Sequence, residues 1–113
     1  MNPVISNQQF ETLNKQFPNI AAYPTQDGVK VAAGWLIDQC QLKAHQIGGA
    51  QVHPKQALVL VNTDNATAND VIKLAATVRQ TVVEKYQIAL EHEVRFIGSH
   101  AETNLETILE SQQ

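Results

Sequence analysis

Residues 57–61 read ALVLV, five apolar positions in succession. A run of this kind suits a strand buried on both faces, and it is the best candidate in the chain for a central strand. Such a strand needs a covering layer. One follows directly: Thr67 and Asp70 form a capping-box signature that opens the longest helix, running to about Tyr86. Along it Val71, Leu74, Ala75, Val78 and Val82 make one apolar stripe, which implies a helix face packed on a sheet.

The remaining elements are interspersed around that pair. Ser6 and Gln9 give a second capping-box signature, for a helix to about Phe17 with Phe10, Leu13 and Phe17 on one side. Residues 19–28, NIAAYPTQDG, read as a loop, with Pro24 punctuating it and Asp27 followed by Gly28 as a turn signal. A brief strand at 29–32 feeds a helix over AAGWLIDQC, in which Leu36, Ile37 and Cys40 line one side and Trp35 adds bulk. Lys43 stands at the helix exit, where a cation complements the dipole. Gly48 and Gly49 mark a tight turn or a close backbone approach. Residues 50–53 and 57–61 form a hairpin turned at Pro54 and Lys55. From about Gln87 a closing strand is expected. There Ile88, Leu90, Val94 and Phe96 share one face, and Glu91, Glu93 and Arg95 the other. The tail after Ser99 is polar, with Leu105, Ile108 and Leu109 allowing a short helix. Together these predict a single small α+β domain, with helices packed on a mixed or largely antiparallel sheet.

At 113 residues the chain can bury roughly two-thirds of its unfolded surface in one core. A net charge of −3 with eight scattered basic residues offers no counter-charge to nucleic acid or an anionic membrane. No apolar run approaches the length of a membrane span, and 1–11 has neither a basic start nor an apolar h-region. Cys40 is the single cysteine, so no intrachain disulfide forms. Its apolar neighbours suit an inert, buried thiol in a reducing, cytoplasmic setting. The four histidines, His45, His53, His92 and His100, have no metal-ligand spacing, and no serine lies in a nucleophile elbow. No glycine-rich phosphate loop occurs. Residue spacing alone goes no further than an α+β domain.

Three longer stretches go further when read together: AAGWLIDQCQLK at 32–43, QIGGAQVHPKQALVLVN at 46–62 and LEHEVRFIG at 90–98. In this order and at these separations they closely resemble the C-terminal, substrate-binding domain of the UDP-N-acetylenolpyruvoylglucosamine reductases. Asn2-Pro3 and Tyr23-Pro24 fit the same pattern. The resemblance implies a domain of a larger cytoplasmic flavoprotein of peptidoglycan precursor synthesis, and so of cell-wall biogenesis, cell shape and division. NADPH reduces its FAD, and hydride passes to the enolpyruvyl double bond to give UDP-N-acetylmuramate. FAD and NADPH belong to preceding FAD-binding domains of the same protein, and no cofactor or metal is expected on residues 1–113 themselves. The expected partners are the UDP-sugar substrate and those preceding domains.

Carried over residue by residue, the resemblance makes Glu93 the catalytic glutamate, which helps stabilise the enol-type intermediate. A carboxyl beside the substrate carboxylate holds its proton more tightly, and once protonated it can donate to developing negative charge. Tyr23 and Lys43 match contacts to the diphosphate and uridine, a phenol donor beside a point charge. Gln56 matches a substrate-contacting glutamine beside the hairpin, and Asn2 the asparagine of a Ser-Phe-Phe-Lys-Asn-Pro segment. The family's proton-donating serine falls upstream of Asn2, so these 113 residues alone are expected to be inactive. His92 replaces a common proline. Ala44 replaces a common glycine, which matters if that position needs positive φ. The alternative from another class is a stand-alone binding module that kept the fold and lost the chemistry, in which Glu93 would be replaceable.

Overall fold

The computed structural model describes residues 2–90, 93–97 and 102–103. Its middle strand is β6 (Val59–Asn62), third in a five-stranded sheet of order β4-β5-β6-β7-β8. β4 (Gln46–Ile47) and β5 (Ala50–Val52) pair antiparallel, and β5 pairs antiparallel with β6. From β6 the chain crosses through α3 (Ala68–Tyr86) and returns as β7 (Arg95–Ile97), parallel to β6. β8 (Glu102–Thr103) closes the edge antiparallel. A second sheet has order β1-β3-β2, built from β1 (Val4–Ile5), β2 (Ala22–Thr25) and β3 (Gly28–Val31), all antiparallel. α1 (Asn7–Gln16) leaves β1, and α2 (Ala33–Gln39) leaves β3.

The core forms where α2 and α3 meet the sheets. Leu36 and Ile37 of α2, Leu74, Val78 and Val82 of α3, and Val31, Val52 and Leu60 of the strands are all fully buried. Thr67 caps α3 as its spacing predicts: its hydroxyl accepts from the Asp70 N–H at 3.0 Å, and Asp70 Oδ2 accepts from the Thr67 N–H at 3.1 Å. At the other end Tyr86 is buried against Phe17 (ring centroids 4.6 Å apart) and Trp35 (5.9 Å), which ties α1, α2 and α3 together.

The described residues form the expected small α+β domain, with helices on largely antiparallel strands divided between two sheets. Other expectations need correction. The 19–28 segment contains a strand, β2, hairpinned to β3 across Gln26 and Asp27. Gly28 sits there at φ +148°, and a Cβ on it would run into the Ile5 carbonyl of β1, so the hairpin needs glycine. The ALVLV strand starts two residues late, because Val59 N–H donates to the Gln56 carbonyl (3.0 Å) and holds Ala57 and Leu58 in the turn. Ser6 caps α1 through the Gln9 N–H (3.0 Å), yet the Gln9 amide reaches the Gln87 carbonyl (3.0 Å) instead of completing a box.

The closing strand is also shorter than its pattern. Ile88 and Leu90 are buried and Gln87 and Ala89 exposed, but β7 begins only at Arg95. Alternating burial requires an extended chain over a core; a ladder also requires a partner. β6 begins at Val59, opposite Arg95, so nothing upstream of Arg95 has a β6 residue to pair with. Glu91, His92 and the expected terminal helix at 105–109 lie outside the described residues.

Candidate functional site

Two of the five candidate residues lie at one end of the β6–β7 pair. Because these strands run parallel, the residues before each lie at the same edge: Gln56 in the turn before β6, and Glu93 two residues before β7. The Arg95 N–H donates to the Leu58 carbonyl at 2.8 Å and fastens the two lead-ins together. A Cβ added to Gly34, in the first turn of α2, would lie 3.9 Å from the Leu58 side chain. That first turn is where Asn2 arrives, its side-chain Oδ1 accepting from the Ala33 N–H at 3.1 Å. Gln56 is exposed, whereas Glu93 and Asn2 are half-buried.

Tyr23 belongs to a different surface. Val4, Lys30 and Tyr23 face one another across β1, β3 and β2, so their side chains form one row on the outer face of the three-stranded sheet. Tyr23 is 58% exposed and Val4 49%. Two of the three large apolar side chains exposed among the described residues therefore stand in this row, on either side of a lysine. Sequence reasoning missed Lys30, and only the β2–β3 register reveals it beside Tyr23.

Lys43 follows α2, where its Nζ pairs with the Asp38 carboxylate at 3.2 Å, both side chains being well solvated. An exposed pair of this kind contributes little stability and leaves the ammonium able to exchange partners. Ala44, directly after it, has φ +68°. The glycine expected at that position would meet a real demand for left-handed backbone, which alanine satisfies under strain.

Gly48 and Gly49 link β4 to β5, and their surroundings argue against a phosphate cradle. The Gly49 N–H donates to Asp70 Oδ2 at 3.2 Å, and a Cβ on Gly49 would collide with the Asp64 carbonyl. The amides from Thr67 and then Gly49 hold the Asp70 carboxyl below its ordinary pKa. The Asp70 carboxylate already occupies the Gly49 donor. Elsewhere, burial pushes the Cys40 thiol up, against the opposing charge of Lys85, as suits an inert cysteine. His53 serves its turn, Nδ1 accepting from the Lys55 N–H at 3.0 Å. A cleft of about 230 Å³ between α2 and the ends of α1 and α3 is lined by Phe17, Trp35, Lys85 and Tyr86, and no candidate residue reaches it. Among the described residues no group of three His, Cys, Asp or Glu could hold a metal, and no helix is long and apolar enough to cross a membrane.

This arrangement defines a small α+β domain with helices packed on two mostly antiparallel sheets. The family model described as "UDP-N-acetylenolpyruvoylglucosamine reductase, C-terminal domain" matches residues 2–97, and the chain belongs to that family. It is 61% identical over 111 residues to the UDP-N-acetylenolpyruvoylglucosamine reductase of Vibrio cholerae, covering 98% of this chain and 32% of that protein. To the reductase of Escherichia coli strain K12 it is 59% identical over 109 residues, 95% of this chain and 32% of that protein. The chain thus spans about a third of the length of these relatives.

Proposed function

We propose that these residues form the substrate-binding, part-catalytic C-terminal domain of a UDP-N-acetylmuramate-forming oxidoreductase, acting in the cytoplasm in peptidoglycan precursor synthesis. The full enzyme is FAD-dependent and NADPH-driven. Its cofactors supply hydride to the enolpyruvyl group of UDP-N-acetylglucosamine enolpyruvate from preceding FAD-binding domains, and the 113 residues alone are inactive. Glu93 meets the enolpyruvyl end and stabilises charge that develops once hydride has arrived. Gln56 and Asn2 contact the substrate as well. Tyr23 and Lys43 receive the diphosphate and uridine, and Lys30 adds a second cation beside Tyr23.

The observation that supports this reading is that Gln56 and Glu93, far apart in sequence, lie in the lead-ins of two parallel strands that the Arg95 N–H to Leu58 carbonyl hydrogen bond joins. The test is Lys43→Ala in the complete reductase. A charge-assisted contact to phosphate predicts a rise in KM for the UDP-sugar of about 10- to 100-fold with kcat nearly kept. An unchanged KM would remove Lys43 from the site.

A further inference from the structure

Lys43 stands in a tight turn. The His45 N–H donates to the Leu42 carbonyl at 3.0 Å, which closes residues 42–45 with Lys43 second and Ala44 third. Ala44 has φ +68° whereas Lys43 has no positive φ, the combination of a type II turn. Such a turn favours glycine at its third position. An alanine there favours the alternative type I turn, in which the Lys43–Ala44 peptide is flipped.

Contacts from β5 oppose that flip. The Ala44 N–H donates to the Val52 carbonyl at 2.9 Å, and the Val52 N–H donates to the His45 carbonyl at 2.9 Å. The Ala44 carbonyl accepts from the side-chain amide of Gln51, Nε2, at 3.1 Å. The first two bonds are backbone to backbone; only the third depends on which residue stands at 51. Leu42, buried at the first position of the turn, ties it to the core. What the turn presents is a lysine, whose flexible stem carries no rigid fork, so its reach depends on where its backbone is held.

We infer that Gln51 is a positioning residue for Lys43: its amide holds the strained Ala44 in the left-handed conformation and so fixes the turn from which the Lys43 ammonium reaches the substrate, a contact taken from the proposed function.

Three variants of the complete reductase, set beside Lys43→Ala, test this. Gln51→Ala should raise KM for the UDP-sugar about 3- to 10-fold, the worth of one hydrogen bond, with kcat within about twofold of wild type. Adding Ala44→Gly to Gln51→Ala should return KM to within about twofold of wild type, because glycine adopts φ +68° unaided. Adding Gln51→Ala to Lys43→Ala should change KM by less than about twofold, since no ammonium remains to be positioned. An unchanged KM in Gln51→Ala, beside a raised one in Lys43→Ala, overturns this inference and leaves the proposed function standing. A raised KM that Ala44→Gly fails to restore, or that adds fully to the effect of Lys43→Ala, also overturns it and makes Gln51 a direct contact. If Lys43→Ala itself leaves KM unchanged, the proposed role of Lys43 fails first and the inference falls with it.

Discussion

The starts of α2 and α3 are built in opposite ways. α3 is capped by its own neighbours, Thr67 and Asp70 exchanging hydrogen bonds within one turn. α2 is capped by Asn2, at the far end of a different strand. A local cap forms wherever its few residues fold and therefore serves the helix. A remote cap forms only when two segments have already met, so it reports on assembly, here of the segment before β1 with the start of α2.

The strongest way to break this contrast lies at Gly49, because the start of α3 also has one remote tie, the Gly49 amide on Asp70. Gly49→Ala would drive a Cβ into the backbone of Asp64 and Ala66, and should destabilise the protein by about 3 kcal/mol, read from the urea midpoint. A loss under about 0.5 kcal/mol would mean that the β4–β5 turn is not clamped to α3. Thr67→Ala should cost about 1 kcal/mol by the same measurement, the ordinary worth of a local cap. A much larger loss would show that the local cap also holds the remote tie from Asp70 to Gly49 in place. The smallest effect is a gain: Ala44→Gly should stabilise by roughly 0.5–1 kcal/mol, because glycine adopts the φ of +68° without strain. No gain would mean that the exit of α2 adapts to alanine freely.

The same contrast explains what could be read in the sequence. The α3 cap, its buried stripe and the β5–β6 hairpin were legible because each is written in residues within a few positions of one another. β2 was read as a loop because Pro24 interrupts it; an edge strand of this sheet tolerates the missing donor. The closing strand was read too long because alternation records burial, whereas pairing depends on where β6 begins. For the site, Glu93, Tyr23, Lys43, Gln56 and Asn2 came from resemblance, and no spacing rule would have singled them out. The pairing of Lys30 with Tyr23 and the bond from Asn2 to Ala33 span different strands and helices, so only the fold could place them together.

The central claim is that the edge before β7 supplies a group to the reaction itself. It is tested most directly by Glu93→Gln in the complete reductase, followed as the single-turnover rate of enolpyruvyl reduction at saturating UDP-sugar. A side chain that stabilises charge only in the transition state predicts a fall of about 10²- to 10³-fold with KM within threefold of wild type. A rate within threefold of wild type would contradict the account and return Glu93 to an ordinary residue at the start of a strand.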